Sequence, residues 1–307
     1  MKQEWFGRVL ALLITSPAWS HAATEEPVAP QPPPLYEAPA RSDRIGRILV
    51  PVRVNGQEPF QFVLDTGANR TVLTPALATL LGLDVSANRK VTLSGVTGSA
   101  SVPTVSVDEV RAGNVTLNQQ VLPVADSLSP NVQGILGVDA LEDTRIHMDF
   151  ITGKLAIRRA HRQGVMDGMT RIPGQCRHQR LLMVRADVGR VAVSAVIDTG
   201  SQYTLGNRAL RVKLGLPERV TDQHVTEVIG ETLARQPGER RVVPVLRMGS
   251  LQQVNPQVVF GDFHVFKLWH LEDQPAIVIG MDLLGSLESM LIDYQRCEIQ
   301  VRGRNQE

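Results

Sequence analysis

The residues best suited to chemistry are two aspartates, each of which closes an apolar segment. Asp65 follows residues 62–64 and opens an Asp-Thr-Gly sequence, and Asp198 does the same after residues 195–197. A two-fold related pair of such turns would bring the two carboxyl groups face to face. Two carboxylates at such a short distance cannot both ionise, so they share a proton and their pKa values separate. One can then take a proton from water while the other donates a proton to a substrate carbonyl.

The residues after each aspartate suit a tight turn that contacts its counterpart. Gly67 and Gly200 allow a sharp turn and a close approach of the backbone. Thr66 and Thr199 can form hydrogen bonds across to the opposite copy, which would lock the two turns together.

The fourth residue of each turn differs, with Ala68 in one copy and Ser201 in the other. Both side chains are small and keep the entrance narrow. The Ser201 hydroxyl is expected to donate a hydrogen bond to a nearby carboxylate, which favours the charged form. We therefore expect an asymmetric pair of carboxyl groups and a mildly acidic pH optimum.

The aspartates belong to a longer sequence that occurs twice. Four elements recur in the same order: residues 60–68 at 193–201, residues 81–83 at 214–216, the apolar-apolar-Gly element 135–137 at 278–280, and residues 147–150 at 291–294. A lone aspartate at a strand end is a common turn former. Matched elements at nearly constant offsets indicate a tandem duplication instead.

Each copy reads mostly as β-strands. Residues 48–54 and 102–107 are β-branched runs bounded by turn residues, and Asn55-Gly56 is a hairpin turn signal. Helical periodicity is confined to short stretches, at 74–81 and after each apolar-apolar-Gly element. Asp139 and Asp282, just past those elements, suit the N-cap of a helix.

At this point the sequence resembles the retropepsin-like aspartic proteases, in their two-lobed single-chain form. The resemblance covers residues 44–302 and is carried by residues 64–68 and 197–201, together with the apolar-apolar-Gly elements. It implies an all-β fold of two homologous closed β-lobes with a cleft between them. It also implies that Asp65 and Asp198 are the catalytic pair, with no metal or organic cofactor.

The same family carries a glycine-rich hairpin, the flap, over its cleft. Gly95 and Gly98 are the candidate flap positions of the first copy, and Gly230 is that of the second. An ordinary exposed hairpin is the alternative for each segment.

The function predicted from these residues is that of an exported aspartic endopeptidase acting on a peptide or protein. Because both motifs lie on one chain, a monomer can assemble the site. The alternative is a non-catalytic bilobal module of the same fold that holds a peptide or glycan in its cleft.

Charge excludes two further classes of partner. Lys and Arg number 32 and Asp and Glu 31, for a net charge of +1 in 307 residues. A neutral chain without runs of like charge is a poor candidate for binding nucleic acid or an anionic membrane. The seven histidines show no metal-ligand spacing.

The order of segments predicts an exported protein. Residues 1–22 combine a charged start, a short apolar run and small residues, as in a signal peptide. Residues 23–43 are a Pro-rich linker, 44–159 the N-terminal lobe and 160–307 the C-terminal lobe. We expect a bacterial periplasmic or secreted protein with no membrane insertion after signal cleavage.

The chain has two cysteines, Cys176 and Cys297. An even number in an exported protein permits one structural disulfide. A nucleophilic cysteine is the alternative, but neither residue has the accompanying His and Asn signature.

Overall fold

The computed structural model describes residues 34, 36–39, 41–126, 129–160, 164–178, 180–217, 225–230 and 232–304. The predicted signal peptide, residues 1–22, lies outside these ranges, as does most of the predicted linker. Residues 36–39 and 41–42, at the end of that linker segment, are strands in the structure, and Tyr36 is buried. Within the described ranges no helix combines the length and apolar character needed to cross a membrane.

The first copy of the duplicated unit consists of strands and two short helical segments. Its strands are β1 (Tyr36–Pro39), β2 (Arg41–Ser42), β3 (Ile48–Val54), β4 (Gln57–Leu64), β5 (Val72–Leu73), β6 (Val85–Gly95), β7 (Gly98–Ala112), β8 (Val115–Pro123), β9 (Gly134–Leu136), β10 (Thr144–Asp149) and β11 (Lys154–Arg159). Its helical segments are α1 (Pro75–Leu80) and a 3₁₀ helix (Val138–Ala140).

The second copy repeats this order with additional strands. Its strands are β12 (Thr170–Arg177), β13 (Leu181–Val188), β14 (Val191–Ile197), β15 (Leu205–Gly206), β16 (Val225–Ile229), β17 (Arg235–Val242), β18 (Val245–Met248), β19 (Leu251–Val254), β20 (Gln257–Phe260), β21 (Ala276–Ile279), β22 (Ser289–Asp293) and β23 (Glu298–Arg302). Its helices are α2 (Arg208–Lys213), α3 (His264–Leu268) and α4 (Met281–Leu284).

The strands form two lobes and a sheet that joins them. The first-lobe sheet has the order β5-β9-β4-β3-β7-β6, and the second-lobe sheet the order β13-β14-β21-β15-β20-β17-β16. The joining sheet, β1-β11-β10-β22-β23-β12, draws strands from both copies. The all-β, two-lobed fold class is therefore confirmed.

The lobes are not closed barrels, which corrects the expectation of closed β-lobes. In the described part of the first lobe, an isolated bridge between Leu73 and Val124 connects β5 to the chain that follows β8. Because β5 is only two residues long, it cannot form a continuous ladder with the chain after β8 that would close the sheet.

Alternating burial explains why the first-lobe strands form where the pattern predicts. In β3, Val50, Val52 and Val54 are fully buried while Arg53 is exposed, as expected for a strand with one face on the core. The turn between β3 and β4 contains Asn55 and Gly56 at φ 49° and 72°, the left-handed geometry of a type I′ hairpin turn.

The two copies meet at the pairing of β10 with β22. Ile146 lies opposite Ile292 and Met148 opposite Met290 in this antiparallel register, and all four residues are buried. This register relates the two copies by an approximate two-fold axis. The ends of equivalent strands therefore lie at matching positions in the two copies.

The helix predicted over 74–81 begins as expected, because the Thr74 hydroxyl accepts a hydrogen bond from the Leu77 N–H and Pro75 opens α1.

The N-cap prediction for Asp139 and Asp282 is wrong. Gly137 and Gly280 hold those N-cap positions, and the two carboxylates bind elsewhere, as described below.

A disulfide joins Cys176 in β12 to Cys297 in the turn between β22 and β23. The bond spans 121 residues of sequence and ties the second-lobe sheet to the sheet that joins the lobes. Cross-links that close long loops limit the conformations of the unfolded chain.

Replacing both cysteines with serine is expected to lower the free energy of unfolding by roughly 2–5 kcal/mol, because the unfolded chain regains the entropy of a long loop. Urea denaturation of the Cys176→Ser/Cys297→Ser variant would measure this change. Wild-type protein with added reductant is the control and should unfold at the same lowered midpoint. An unchanged midpoint in both samples would contradict the expectation.

Candidate active site

The two aspartates occupy equivalent positions at the ends of buried strands. Asp65 follows β4, which pairs in parallel with β9, and Asp198 follows β14, which pairs in parallel with β21. The Asp65 N–H donates to the Leu136 carbonyl and the Asp198 N–H to the Ile279 carbonyl, each at 3.1 Å. The paired strands therefore place both residues where the chain leaves the core.

The turn after each aspartate fixes the orientation of its carboxylate. In each copy the Oδ1 atom accepts hydrogen bonds from the backbone N–H groups two and three residues later. These distances are 2.8 Å from Gly67 and 2.9 Å from Ala68 to Asp65, and 2.8 Å from Gly200 and 3.0 Å from Ser201 to Asp198.

The two carboxyl groups face each other closely. A Cβ atom added at Gly67 would collide with the Asp198 carboxylate, and one added at Gly200 would collide with that of Asp65. The aspartates are 2% and 5% exposed, so little water solvates their charges. Burial, and then the charge of Asp65, raise the pKa of Asp198 well above its usual range. The pair therefore retains a proton at pH values where an exposed aspartate is ionised.

Thr66 and Thr199 interlock the two turns through reciprocal hydrogen bonds. The Thr66 hydroxyl donates to the Ile197 carbonyl at 2.8 Å and accepts from the Thr199 N–H at 3.1 Å. The Thr199 hydroxyl donates to the Leu64 carbonyl at 2.7 Å and accepts from the Thr66 N–H at 3.1 Å. Both side chains are fully buried, so each hydroxyl satisfies one donor and one acceptor of the opposite copy.

The expected bond from the Ser201 hydroxyl to a carboxylate is not formed. This hydroxyl donates to the Tyr203 carbonyl at 2.8 Å instead, and only the Ser201 backbone N–H reaches Asp198. The premise for an asymmetric pair with a mildly acidic optimum is therefore wrong. Ala68 makes the equivalent backbone bond to Asp65, so the two turns bind their carboxylates alike.

A second pair of carboxylates supports the turns from behind. Asp139 accepts hydrogen bonds from the N–H and hydroxyl of Thr71, at 2.9 and 2.7 Å. Asp282 accepts the same two bonds from Thr204, at the same distances. Sequence reasoning missed both threonines, although each lies six residues after an aspartate of the central pair. The recurrence of a threonine at the same position in both copies is the sequence signal that indicates them.

The glycine of each apolar-apolar-Gly element allows the chain after the central turn to pass close by. A Cβ at Gly137 would lie 2.6 Å from the Arg70 carbonyl oxygen, and one at Gly280 would lie 2.5 Å from that of Tyr203. The element therefore holds the turn by backbone contact that a larger residue would block.

Both predicted flap segments lie against the cleft and contact each other. The β6–β7 hairpin pairs Gly95 with Gly98, and its tip residue Thr97 is buried. The Thr97 hydroxyl accepts from the Gly230 N–H at 3.1 Å and donates to the Ala234 carbonyl at 2.7 Å.

Helix α3 binds the same hairpin from the second lobe. The Val265 N–H donates to the Val96 carbonyl at 3.2 Å, and the Ser99 hydroxyl lies 2.8 Å from His264 Nε2. The tip of the first hairpin is thus held by two separate parts of the second lobe.

Cavities lie on both sides of the central pair, and Asp198 and Val96 line both. The larger, of about 410 Å³, has a wall of mixed polarity that includes Arg70 and the apolar side chains of Leu181, Val265 and Trp269. The smaller has a volume of about 220 Å³. The two cavities therefore flank the carboxyl pair beneath the β6–β7 hairpin.

Tyr294 is a further residue that sequence reasoning missed. Its side chain is fully buried, and its hydroxyl has no hydrogen-bond partner among the described residues. Burial raises the pKa of Tyr294, and the charges of Asp65 and Asp198 add to this. The first copy has Phe150 at the matching position.

Comparison with known proteins detects the same two copies. The family model described as aspartyl protease matches the chain twice, over residues 50–140 and 184–283. Each match contains one of the two central aspartates, so the tandem duplication is shown. A comparison with curated proteins finds no significant match.

Replacing Thr199 with valine is expected to destabilise the fold by about 2–6 kcal/mol, because the buried Thr66 N–H and Leu64 carbonyl would each lose a partner at about 1–3 kcal/mol. Urea denaturation would measure the loss. Thr199→Ser keeps the hydroxyl and is the matched control, expected to lose much less. Equal stability of the two variants would show that the interlock contributes nothing.

Replacing Gly230 with alanine is expected to separate the two flaps, because the new Cβ would lie 2.5 Å from the Thr97 hydroxyl. Hydrogen exchange measured by mass spectrometry should then accelerate by about tenfold or more in the peptides that contain residues 225–230 and 264–268. Gly98→Ala is the control, since its Cβ would meet only Ala234 at an ordinary 3.5 Å. Unchanged exchange in Gly230→Ala would contradict this account.

Proposed function

The chain belongs to the aspartyl protease family, and we propose that it is an exported endopeptidase using Asp65 and Asp198 as its catalytic pair. The observation that carries the proposal is the contact of two buried carboxyl groups, with the pKa of Asp198 raised by burial and by Asp65. Such a pair holds one proton and one negative charge together, which is what hydrolysis by activated water requires.

The proposed reaction has no covalent intermediate. The ionised aspartate removes a proton from a water molecule as its oxygen attacks the peptide carbonyl carbon, and the protonated aspartate donates its proton to the carbonyl oxygen. The resulting gem-diol collapses when the C–N bond breaks. The proton taken from water passes from the pair to the leaving nitrogen. A hydroxyl of the gem-diol returns a proton to the pair, which restores the starting state.

The cleft supports cleavage within a chain rather than at its end. Cavities of about 410 and 220 Å³ on either side of the pair offer room for substrate residues on both sides of the cut bond. Since both carboxyl groups come from one chain, we propose that the monomer is the active form.

Export rests on two observations. The charged and apolar pattern of residues 1–22 is typical of a signal peptide, and the disulfide between Cys176 and Cys297 suits an oxidising compartment. We propose that the protein acts in a bacterial periplasm or outside the cell.

Cleavage of casein between about pH 3 and 7, followed by mass spectrometry of the fragments, tests the catalytic assignment. Asp65→Asn and Asp198→Asn should each lower turnover by about 10²–10⁴-fold or more while the protein stays folded. Ser201→Ala is the control, since the hydroxyl contacts no carboxylate. Substantial turnover by either asparagine variant would overturn the assignment, and a folded but inactive wild type would favour the binding module.

A nucleophilic trap tests the absence of a covalent intermediate. Hydroxylamine present during turnover should yield no hydroxamate product, because no acyl-enzyme forms. Detection of hydroxamate that disappears in Asp65→Asn would contradict direct attack by water.

The raised pKa of Asp198 predicts how stability depends on pH. Because the folded-state pKa lies above the unfolded value of about 3.9, the folded protein holds the extra proton and loses stability as pH rises through the folded pKa. Asp198→Asn removes this loss. Its free energy of unfolding relative to wild type should therefore increase as the pH rises above about 4, measured by urea denaturation. A constant difference would contradict the proton shared by the pair.

A further inference from the structure

A second groove adjoins the larger cleft cavity on the surface of the C-terminal lobe. It has a volume of about 830 Å³, and His178 and Trp269 line both it and the cleft cavity. One face of strands β12–β14 forms its floor, where Gln175 lies opposite Met183 and Arg185 opposite Ser194. The chain around residues 269–275 forms its wall. The groove therefore begins where the cleft ends.

The charge of this lining has one sign. It contains Arg177, Arg185, His178 and His270, and no carboxylate. Arg177 and Arg185 are exposed, and neither forms an ion pair with another described residue.

Carboxylates do occur nearby, but they lie outside the groove. Glu272 and Asp273 belong to the loop that forms the wall without lining the groove. Asp187 lies two residues beyond Arg185 on β13, opposite Arg247 of β18. The positive charge of the lining is therefore not neutralised within the groove.

His178 lies close to two further basic groups of this lining. Burial, and then the charges of His270 and Arg177, lower the pKa of His178, so these three groups interact electrostatically. His178 and His270 both have left-handed backbone geometry, at φ 48° and 53°. The disulfide at Cys176 fixes the strand immediately before His178. The lowered pKa makes His178 lose its proton more readily, so the exposed Arg177 and Arg185 carry the positive charge of the groove and favour an anionic partner.

The other end of the cleft differs. The smaller cavity is lined by Arg44, Arg47 and Glu227, which carry charges of both signs. Arg47 is bonded to Asp43, and Glu227 is paired with Arg235. An anionic segment would therefore find complementary charge at one end of the cleft.

We propose that this cationic groove binds an acidic segment of the polypeptide substrate, which continues out of the cleft past Trp269. The inference rests on the proposed protease function and adds a preference to it. The enzyme selects chains with an acidic run on one side of the cut bond, with an apolar stretch between the two.

Matched peptides test this preference. A core peptide, taken from a casein sequence that the enzyme cleaves, is extended at either end by a short run of Glu, Ser or Lys. Wild type should cleave one of the two Glu-extended peptides with kcat/KM about tenfold above its Ser-extended partner at low salt. About 0.5 M salt should remove most of this advantage, because the contacts are exposed.

Charge reversal of the groove tests its location. Arg177→Glu/Arg185→Glu should lose the advantage of the Glu extension but cleave the core peptide at the wild-type rate. Arg53→Glu/Lys154→Glu changes the net charge equally at exposed positions outside the cleft and the groove, and should keep the advantage. Arg177→Gln/Arg185→Gln gives a milder change should the reversed variant fail to fold.

The outcomes separate the two proposals. Equal cleavage of the Glu-extended and Ser-extended peptides by wild type would overturn the groove inference and leave the protease function intact. An equal loss in the control variant would also overturn it, since the effect would then come from net charge. Failure of folded wild type to cleave casein or the core peptide would count against the protease function itself.

Discussion

The contact between Asp65 and Asp198 is the constraint on which the rest of the structure depends. Two buried carboxyl groups repel each other whenever both are ionised, so the fold must hold them together against that repulsion. The interlock of Thr66 and Thr199 does this with bonds that each copy cannot form alone. Because these bonds also satisfy buried backbone groups, separating the lobes at this point would leave polar groups without partners. The site and the core are thus stabilised by the same contacts.

Duplication within one chain lets the two halves of this arrangement differ. The carboxylate turns are nearly identical, but the strands of the predicted flap are 11 and 15 residues long in the first copy and only 5 and 8 in the second. Phe150 in one copy corresponds to Tyr294 in the other. A symmetric pair of chains would present equal cleft ends to a substrate that has a direction. Here the two ends differ in volume, lining and charge.

The sequence predicts those parts of the site that depend on repeated local patterns. The aspartates, their glycines and the threonines stand in matched motifs, and the strands before them are apolar runs. Asp139 and Asp282 were misinterpreted because N-cap patterns consider only neighbouring residues, whereas Thr71 lies 68 residues before Asp139. The cationic groove could not be foreseen either. Its arginines lie on β12 and β13 and His270 follows α3, so only the folded chain brings these residues together.

The position of the cationic groove also fits the electrostatics of the proposed catalytic pair. A pair that holds one proton keeps a negative charge in a buried site, and that charge repels acidic residues bound beside it. The larger cleft cavity separates the two with apolar side chains, among them Leu181, Val265 and Trp269. A substrate with acidic residues next to the cut bond would meet the repulsion without reaching Arg177 and Arg185. A substrate with an apolar residue next to the cut bond and acidic residues farther along would avoid this repulsion and would reach the arginines of the cationic groove. The spacing between the pair and the groove is thus part of the proposed specificity.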